Sequence, residues 1–321
     1  IPVVKSGAGI ELGNPKAIKA IEKYFKIELS KLLSNWPDAT GKAGELIEVP
    51  ITAPETKISR VYFVGIGENS SDDLRKAGAA LSRKVKNSGS SIISALVTTR
   101  QSARNHAVAI VLASYSWSQK SPPPKALKAA SFTLVGKFES ELSEARLLAE
   151  GVWLARDLIH TPSNIKTPLW LADEAVKIAA DSGLEIKVLA GKDLAQFGGL
   201  LAVGNSSPKP GPRFVEISYH PKGKKKSAGI LPHVVIVGKG ITFDTGGVSL
   251  KRPYEFMTAM KSDMAGSAAA LGAISALPYF QPQVQVTVLM MLAENALSGT
   301  SQRPSDVITH YGGKTVEVLD T

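Results

Sequence analysis

Apolar residues follow two different spacings along this 321-residue chain, and the two spacings alternate. Short apolar runs are typical of buried strands, whereas apolar residues three or four positions apart indicate one face of a helix. The runs predict strands at residues 46–49, 61–64, 92–97, 107–113, 131–135, 185–189, 214–219, 234–237, 284–292 and 315–319. The wider spacing predicts helices at residues 14–35, 72–88, 139–160, 168–182 and 264–277. Strands and helices in alternation predict an α/β protein.

The long helical pattern of residues 139–160 lies between two such series of elements. A chain of this length favours more than one domain. We therefore expect a small N-terminal α/β domain over residues 1–138 and a linking helix with its hinge over residues 139–165. A larger α/β domain is expected over residues 166–321.

Composition narrows the classes of protein that fit. The apolar share of 44% is enough for a sizeable core, and the absence of cysteine excludes disulfides and a thiol nucleophile. No apolar run approaches the roughly 18 residues of a membrane span, and no signal-peptide pattern opens the chain. We expect a cytoplasmic protein that does not contact a membrane. The net charge of +10 is compatible with a nucleic-acid partner without requiring one.

Charged residues cluster after the predicted strand 234–237, which reads as a buried strand that ends in glycine. Lys239, Asp244, Lys251 and Asp263 follow it, and open α/β sheets bind their ligands beyond the carboxyl ends of strands. Glycines allow the backbone to turn sharply and to approach a ligand closely. They stand here at Gly238, Gly240, Gly246 and Gly247. Asp263 directly precedes a predicted helix, so we expect it to cap that helix and to face a cation.

Other interpretations fit parts of the same stretch. Asp244 could cap a turn and Asp263 a helix, with both lysines in solvent. The sequence Asp244-Thr-Gly246 also occurs in aspartic proteases, but that class needs an all-β fold with two like carboxylates. The five histidines are scattered, so no H-E-x-x-H zinc motif is present, and no G-x-S-x-G serine motif occurs either.

Two segments resemble the leucyl aminopeptidase (M17) family of two-metal exopeptidases. Residues 237–251 read Val-Gly-Lys-Gly-Ile-Thr-Phe-Asp-Thr-Gly-Gly-Val-Ser-Leu-Lys, and residues 260–266 read Met-Lys-Ser-Asp-Met-Ala-Gly. Shorter similar segments occur at residues 155–168, 293–299 and 303–306, although His160 stands where the family usually has Asn. The resemblance extends over essentially the whole chain.

The resemblance implies an activity and roles for individual residues. It implies a catalytic domain with a central mixed sheet flanked by helices, here C-terminally incomplete, and release of neutral, leucine-like residues from the amino end of peptides. Lys239, Asp244 and Asp263 would bind two divalent ions, Zn²⁺ and/or Mn²⁺ or Mg²⁺, which activate a bridging water. Lys251 would polarise the scissile carbonyl and stabilise the oxyanion, and Met260 would line the pocket for the N-terminal side chain.

The family pattern continues beyond the last residues of this sequence. Its V-L-N-T-D-A-E-G-R segment supplies two further carboxylate ligands and an arginine that holds bicarbonate, whereas this sequence ends Val318-Leu-Asp-Thr321. We therefore expect a C-terminal segment or a second chain to complete the site, in a homo-oligomer that the resemblance implies is a hexamer. The alternative is a catalytically incomplete family member that binds DNA or acts as a scaffold.

Overall fold

The chain folds into two compact units, Ile1–Ala149 and Glu150–Thr321. The computed structural model describes residues 1–7, 9–52, 57–122, 127–223 and 231–321. Both units combine helices with sheets, so the predicted α/β class is confirmed. The division falls inside the long helix Glu139–His160, whose bounds agree with those predicted. The finer division at residues 138 and 165 stays a prediction.

The N-terminal unit contains a four-stranded sheet and a two-stranded parallel sheet. The larger sheet has the order β2-β1-β4-β3, and β5 pairs with β6 in the smaller one. The strands are β1 (Pro2–Ser6), β2 (Gly9–Leu12), β3 (Leu46–Pro50), β4 (Arg60–Gly65), β5 (Ser91–Ser94) and β6 (Ser131–Leu134). The helices are α1 (Pro15–Phe25), α2 (Leu29–Leu33), α3 (Ser71–Val85), α4 (Arg100–Ala113) and the first part of α5 (Glu139–His160).

Three predictions for this unit were wrong or incomplete. The apolar run 107–113 is not a strand but the second half of α4. Thr99 and Ser102 start that helix by exchanging hydrogen bonds between side chains and backbone amides, and Ala103, Ala107 and Ile110 then form its buried face. The predicted helix 14–35 breaks at Lys26, whose φ of 54° is left-handed. Strands β1 and β2 were not predicted.

The C-terminal unit is built on a mixed four-stranded sheet with the order β7-β8-β10-β9. β8 is antiparallel to both of its neighbours, whereas β9 and β10 are parallel. The strands are β7 (Glu185–Ala190), β8 (Arg213–Tyr219), β9 (His233–Asp244), β10 (Gln285–Asn295), β11 (Val307–Thr309) and β12 (Thr315–Glu317). The helices are α6 (Pro168–Ser182), α7 (Gly198–Gly204), α8 (Glu255–Thr258), α9 (Ala265–Ser275) and α10 (Leu277–Phe280), with 3-10 turns at Gly191–Leu194 and Met260–Ser262.

A hydrophobic core joins the sheet of this unit to α6 and α9. Its members include Leu171, Val215, Leu271 and Val288, all with no more than 1% of their surface exposed. Burial on this scale, at roughly 25 cal/mol per Å² of apolar surface, fixes the helices against the sheet. None of the helices in the described part of the chain has the length and apolar character needed to cross a lipid bilayer.

The strand that precedes the charged cluster is longer than predicted, and its first residues are mostly exposed rather than buried. β9 does not end at Gly238 but continues through Lys239 to Asp244, because its backbone pairs with β10 along almost its whole length. Gly238 and Gly240 therefore lie within the strand rather than in a loop. Their role is close packing: a side chain at Gly238 would lie 2.7 Å from the Cα atom of Ser267 in α9.

Candidate metal centre

The carboxyl ends of the parallel strands β9 and β10 bring together side chains that are about fifty residues apart in sequence. Lys239 lies opposite Met291, and Asp244 lies opposite Asn295. A register shift between Ala293 and Asn295 interrupts the pairing just before its end. Bulges of this kind redirect side chains and are frequent beside active sites. The pairing of β9 with β10 alone thus fixes the positions of two of the five predicted site residues, Lys239 and Asp244.

Asp244 is held by three donors. Its Oδ1 atom accepts hydrogen bonds from the Asn295 side-chain amide at 2.8 Å and from the Gly246 N–H at 2.9 Å. Its Oδ2 atom lies 3.1 Å from Nζ of Lys251. Burial by itself would raise the pKa of Asp244, but the Gly246 amide, Lys251 and Asn295 together hold that pKa below its ordinary value. The carboxylate is therefore ionised and fixed in one orientation.

Asp263 pairs with Lys239 in the same region. Oδ2 of Asp263 is buried and lies 3.0 Å from Nζ of Lys239, but the contact lacks hydrogen-bond geometry, and no other donor among the described residues satisfies that oxygen. We interpret the contact as an ion pair, because the distance is short even though the angle is poor. The predicted capping role was wrong. Met264 occupies the N-cap of α9, and no side chain caps that helix.

Lys251 and Met260 reach the region by two different loops. The backbone N–H of Lys251 donates to the Thr245 carbonyl at 2.9 Å, which folds the loop 245–251 back beside Asp244. Met260 opens the 3-10 turn that leads to Asp263, and its side chain is half-buried. The structure therefore forms two Lys–Asp pairs, Lys239–Asp263 and Lys251–Asp244, and places Met260 three residues before one of them.

Helix α9 holds Asp263 against the strand. The Ser267 hydroxyl donates to the Gly238 carbonyl at 3.0 Å, and a side chain at Gly266 would meet the backbone N of Lys239 at 3.1 Å. Only residues without bulk at Gly238 and Gly266 permit such a close approach between helix and strand. The position of Asp263 relative to Lys239 depends on this packing.

A cavity of about 320 Å³ opens where the two strands end. Lys239, Asp244, Met291 and Asn295 are among its lining residues, so it adjoins the charged pairs directly. A larger cavity of about 660 Å³ lies in the N-terminal unit. Glu48 is the one carboxylate among the described residues on its wall, and it is already paired with Arg60 and Lys84. We therefore place the candidate functional site at the smaller cavity.

The donor set is compatible with divalent cations. Two fixed carboxylates and an amine are oxygen and nitrogen ligands of the kind that Zn²⁺ and Mn²⁺ accept, and the buried Oδ2 of Asp263 lacks a well-aligned donor. The set is small. Among residues that the structure describes, no group of three or more His, Cys, Asp or Glu side chains is arranged to hold a metal ion. The three predicted ligands alone would leave coordination positions for further donors.

Two polar residues of this region were not predicted to have a role. Asn295 orients Asp244, and it could have been found from the Ala293-Glu-Asn segment at the end of a predicted strand. Lys166 is completely buried beneath the turn that carries Asp263. A single lysine in the hinge sequence gives no signal that it will be buried.

Three basic side chains in and directly after α3 are engaged with other parts of the protein. Arg75 contacts Asp72 and Asn105, Lys84 pairs with Glu48, and Lys86 donates to the Tyr115 carbonyl. Side chains engaged with their own protein are poorly disposed to bind phosphate groups.

Comparison with known protein families agrees with the sequence resemblance. Residues 153–321 match the cytosol aminopeptidase family (Peptidase_M17), catalytic domain, and residues 9–122 match the N-terminal domain of the same family. Each matched segment lies entirely within one of the two compact units.

Individual relatives are similar along most of this chain. The probable cytosol aminopeptidase of Synechococcus elongatus is 33% identical over 320 residues, which cover 94% of this chain and 64% of the relative. That of Rhodococcus opacus is 36% identical over 300 residues, covering 88% and 57%. A solved structure of the bottromycin maturation enzyme BotP in complex with Mn superimposes with a TM-score of 0.78 at 31% identity, covering 90% of this chain and 62% of BotP. The chain thus spans 57–64% of the length of these proteins.

Proposed function

Because the chain belongs to the cytosol aminopeptidase (M17) family, we propose that the protein is a metal-dependent aminopeptidase that releases neutral, leucine-like residues from the amino end of peptides. The observation that carries this proposal is the pair of Lys–Asp contacts at one edge of the sheet. Lys239 and Asp263 are 3.0 Å apart, and Lys251 and Asp244 are 3.1 Å apart. The relatives named as probable cytosol aminopeptidases support the same activity.

Lys239, Asp244 and Asp263 would hold two divalent ions. An amine ligand binds a cation only in its neutral form, so metal binding would require Lys239 to lose a proton and to exchange its contact with Asp263 for the metal. When bound, such ions polarise a carbonyl and make water a stronger nucleophile at neutral pH. The similar protein BotP is described in complex with Mn, which supports a divalent metal here. Zn²⁺, Mn²⁺ and Mg²⁺ are the candidates.

Lys251 would stabilise the charge that develops on the scissile carbonyl oxygen. Its side chain is about one-third exposed, and it lies beside the fixed carboxylate of Asp244. A cation held in a partly buried cleft stabilises an oxyanion more strongly than one in water. Peptide hydrolysis places a hydroxyl group on the carbonyl carbon and a proton on the leaving amine, and Lys251 acts on the first of these steps.

Met260 would contact the side chain of the N-terminal residue. Its flexible thioether is half-buried at the start of the turn that carries Asp263. A side chain of this kind adapts to several apolar shapes, which suits a preference for neutral residues. The resemblance also implies a bicarbonate ion at the site, and this remains part of the proposal.

A further polypeptide segment would complete the site. Among the described strands, β9 pairs with β10 alone, and its valines Val234, Val235 and Val237 are 46%, 51% and 64% exposed. A long strand with exposed apolar residues and a free edge favours pairing with another segment. We propose that a C-terminal segment or a second chain covers this edge and adds carboxylate ligands, within a homo-oligomer such as a hexamer.

Hydrolysis of leucine p-nitroanilide by the natively purified protein tests the proposal. We expect hydrolysis that a chelator abolishes and that Mn²⁺ or Zn²⁺ restores. Asp244→Asn and Asp263→Asn should lower kcat/KM by at least about a hundredfold. Asp181→Asn, which changes an exposed carboxylate on α6, is the matched control and should retain full activity. Activity that survives both the chelator and the two substitutions would contradict the proposal.

A further inference from the structure

Lys166 is the most deeply buried charged side chain described in the C-terminal unit. It lies between α5 and α6, and its side chain has no exposed surface. Nζ of Lys166 donates to the carbonyls of Leu158 at 2.8 Å, Ile159 at 3.2 Å and Lys261 at 2.7 Å, and it lies 3.2 Å from Sδ of Met264. All four acceptors are uncharged, so this ammonium is held by backbone carbonyls and a thioether.

The first two of these contacts cap the end of α5. The last carbonyls of a helix have no partner within it, and the negative end of the helix dipole attracts cations. Lys166 satisfies the carbonyls of Leu158 and Ile159, and Nζ of Lys261 donates to the next carbonyl, that of His160, at 2.9 Å. Two ammonium groups thus join the last turn of α5 to the turn 260–264.

The other two contacts lie on either side of Asp263. Lys261 precedes Asp263 by two residues, and Met264, which is fully buried, follows it directly. Lys166 therefore contacts residues on both sides of Asp263, whose carboxylate faces Lys239. Asp263 has no capping bond to α9 that would fix it instead. One buried group thus contacts the chain on both sides of the carboxylate, through the Lys261 carbonyl before it and the Met264 side chain after it.

The side chain of Lys166 stays protonated although it is buried. Burial, together with the nearby charge of Lys261, lowers the pKa of Lys166 to about 8. Lys166 is therefore still mostly protonated at neutral pH and keeps three N–H donors for its carbonyl partners. Removing a cation from water without giving it a carboxylate partner is unfavourable. The contacts that offset this cost are the ones that hold the turn 260–264.

We propose that Lys166 is a positioning residue that fixes the turn 260–264 against the end of α5 and thereby orients Asp263 towards Lys239. The role in metal binding rests on the proposed function, whereas the fixing of the turn does not. Loss of the ammonium would release the Lys261 carbonyl and the Met264 side chain, and would let the carboxylate of Asp263 move away from its partner. Fixing the groups that support a ligand is worth about tenfold or more in metal affinity.

The test compares Lys166→Met, which keeps the length of the side chain and removes the ammonium, with Lys177→Met. Lys177 is an exposed lysine of α6 that pairs with Glu174. Hydrogen exchange is measured on the metal-free, natively purified protein, and Mn²⁺ affinity by electron paramagnetic resonance. We expect Lys166→Met to accelerate exchange about tenfold in residues 259–266, with little change in β8 and β10, and to weaken Mn²⁺ binding about tenfold. Lys177→Met should change neither.

Unchanged exchange in residues 259–266 would overturn the proposal, because it would show that Lys166 does not fix the turn. An equal acceleration throughout the unit would also overturn it, because it would show that the substitution lowers the stability of the whole unit. A wild-type protein that binds none of Mn²⁺, Zn²⁺ and Mg²⁺ would refute the proposed function, and the exchange data would still decide the role of Lys166. If Lys166→Met does not fold, Lys166→Gln, which keeps an N–H donor and loses the charge, is judged by the same exchange criterion.

Discussion

Replacement of Gly238 by alanine tests whether close packing of α9 on β9 creates the candidate site. The added methyl carbon would lie 2.7 Å from Cα and 2.9 Å from the backbone N of Ser267. Carbon atoms in contact are normally about 3.5–4.0 Å apart, so helix and strand would have to separate by about 1 Å. The obstacle is backbone, which cannot rotate away as a side chain can. Overpacking of this kind costs about 1–3 kcal/mol.

The same displacement would reach the charged pairs. Ser267 lies four residues after Asp263 and donates to the Gly238 carbonyl, next to Lys239. A shift of about 1 Å would stretch that hydrogen bond and separate Lys239 from Asp263. We expect Mn²⁺ affinity to fall about tenfold, since support for a ligand is typically worth that much.

Two measurements and one control decide the outcome. Urea unfolding gives the loss of stability, and titration with Mn²⁺ gives the loss of affinity. Gly9→Ala is the control, because a methyl group there meets no atom within 4 Å and its φ is not positive. If Gly238→Ala matches the control in both measurements, the packing of α9 does not define the site and the reasoning fails.

Three further predictions concern single residues. Asn295→Ala removes a donor from Asp244, so the pKa of Asp244 should rise and Mn²⁺ binding should weaken about tenfold in a titration; unchanged affinity would contradict this. Burial lowers the pKa of His106 to about 4 from 6.5, so the unfolded chain takes up the proton first as pH falls. The unfolding free energy should therefore drop by about 3 kcal/mol between pH 6.5 and 4, and less in His106→Gln; parallel pH profiles would refute the assignment. Gly272→Ala places a methyl carbon 2.4 Å from the Gly151 carbonyl oxygen and should destabilise the protein by about 1–3 kcal/mol in urea unfolding, whereas wild-type stability would show that these helices separate freely.

Elements with strong periodicity could be predicted from the sequence because local pattern and final structure agree. α5 and α6 have the predicted bounds, since their apolar faces and the cap at Thr167 are local features. The run 107–113 shows the limit of such reasoning. A continuous apolar run fits a buried helix as well as a strand, and the deciding feature was the reciprocal cap at Thr99 and Ser102.

Predictions that depend on contacts between distant segments were less complete. β9 extends to Asp244 because β10 pairs with it, and that pairing joins residues about fifty positions apart. The order of Lys239, Asp244, Lys251 and Asp263 could be predicted from the sequence, but the choice of partners within the two Lys–Asp pairs could not. Burial of Lys166 depends on three segments meeting at one point, which no local pattern indicates.

The central claim is that Lys239, Asp244 and Asp263 bind divalent cations, and anomalous diffraction tests it most directly. Crystals of the natively purified protein would be soaked in Mn²⁺ or Zn²⁺ and measured at the absorption edge of the metal. We predict anomalous peaks about 2.0–2.3 Å from the carboxylates of Asp244 and Asp263 and from Nζ of Lys239. Data that place the metal elsewhere, with Lys239 still paired to Asp263, would contradict the claim.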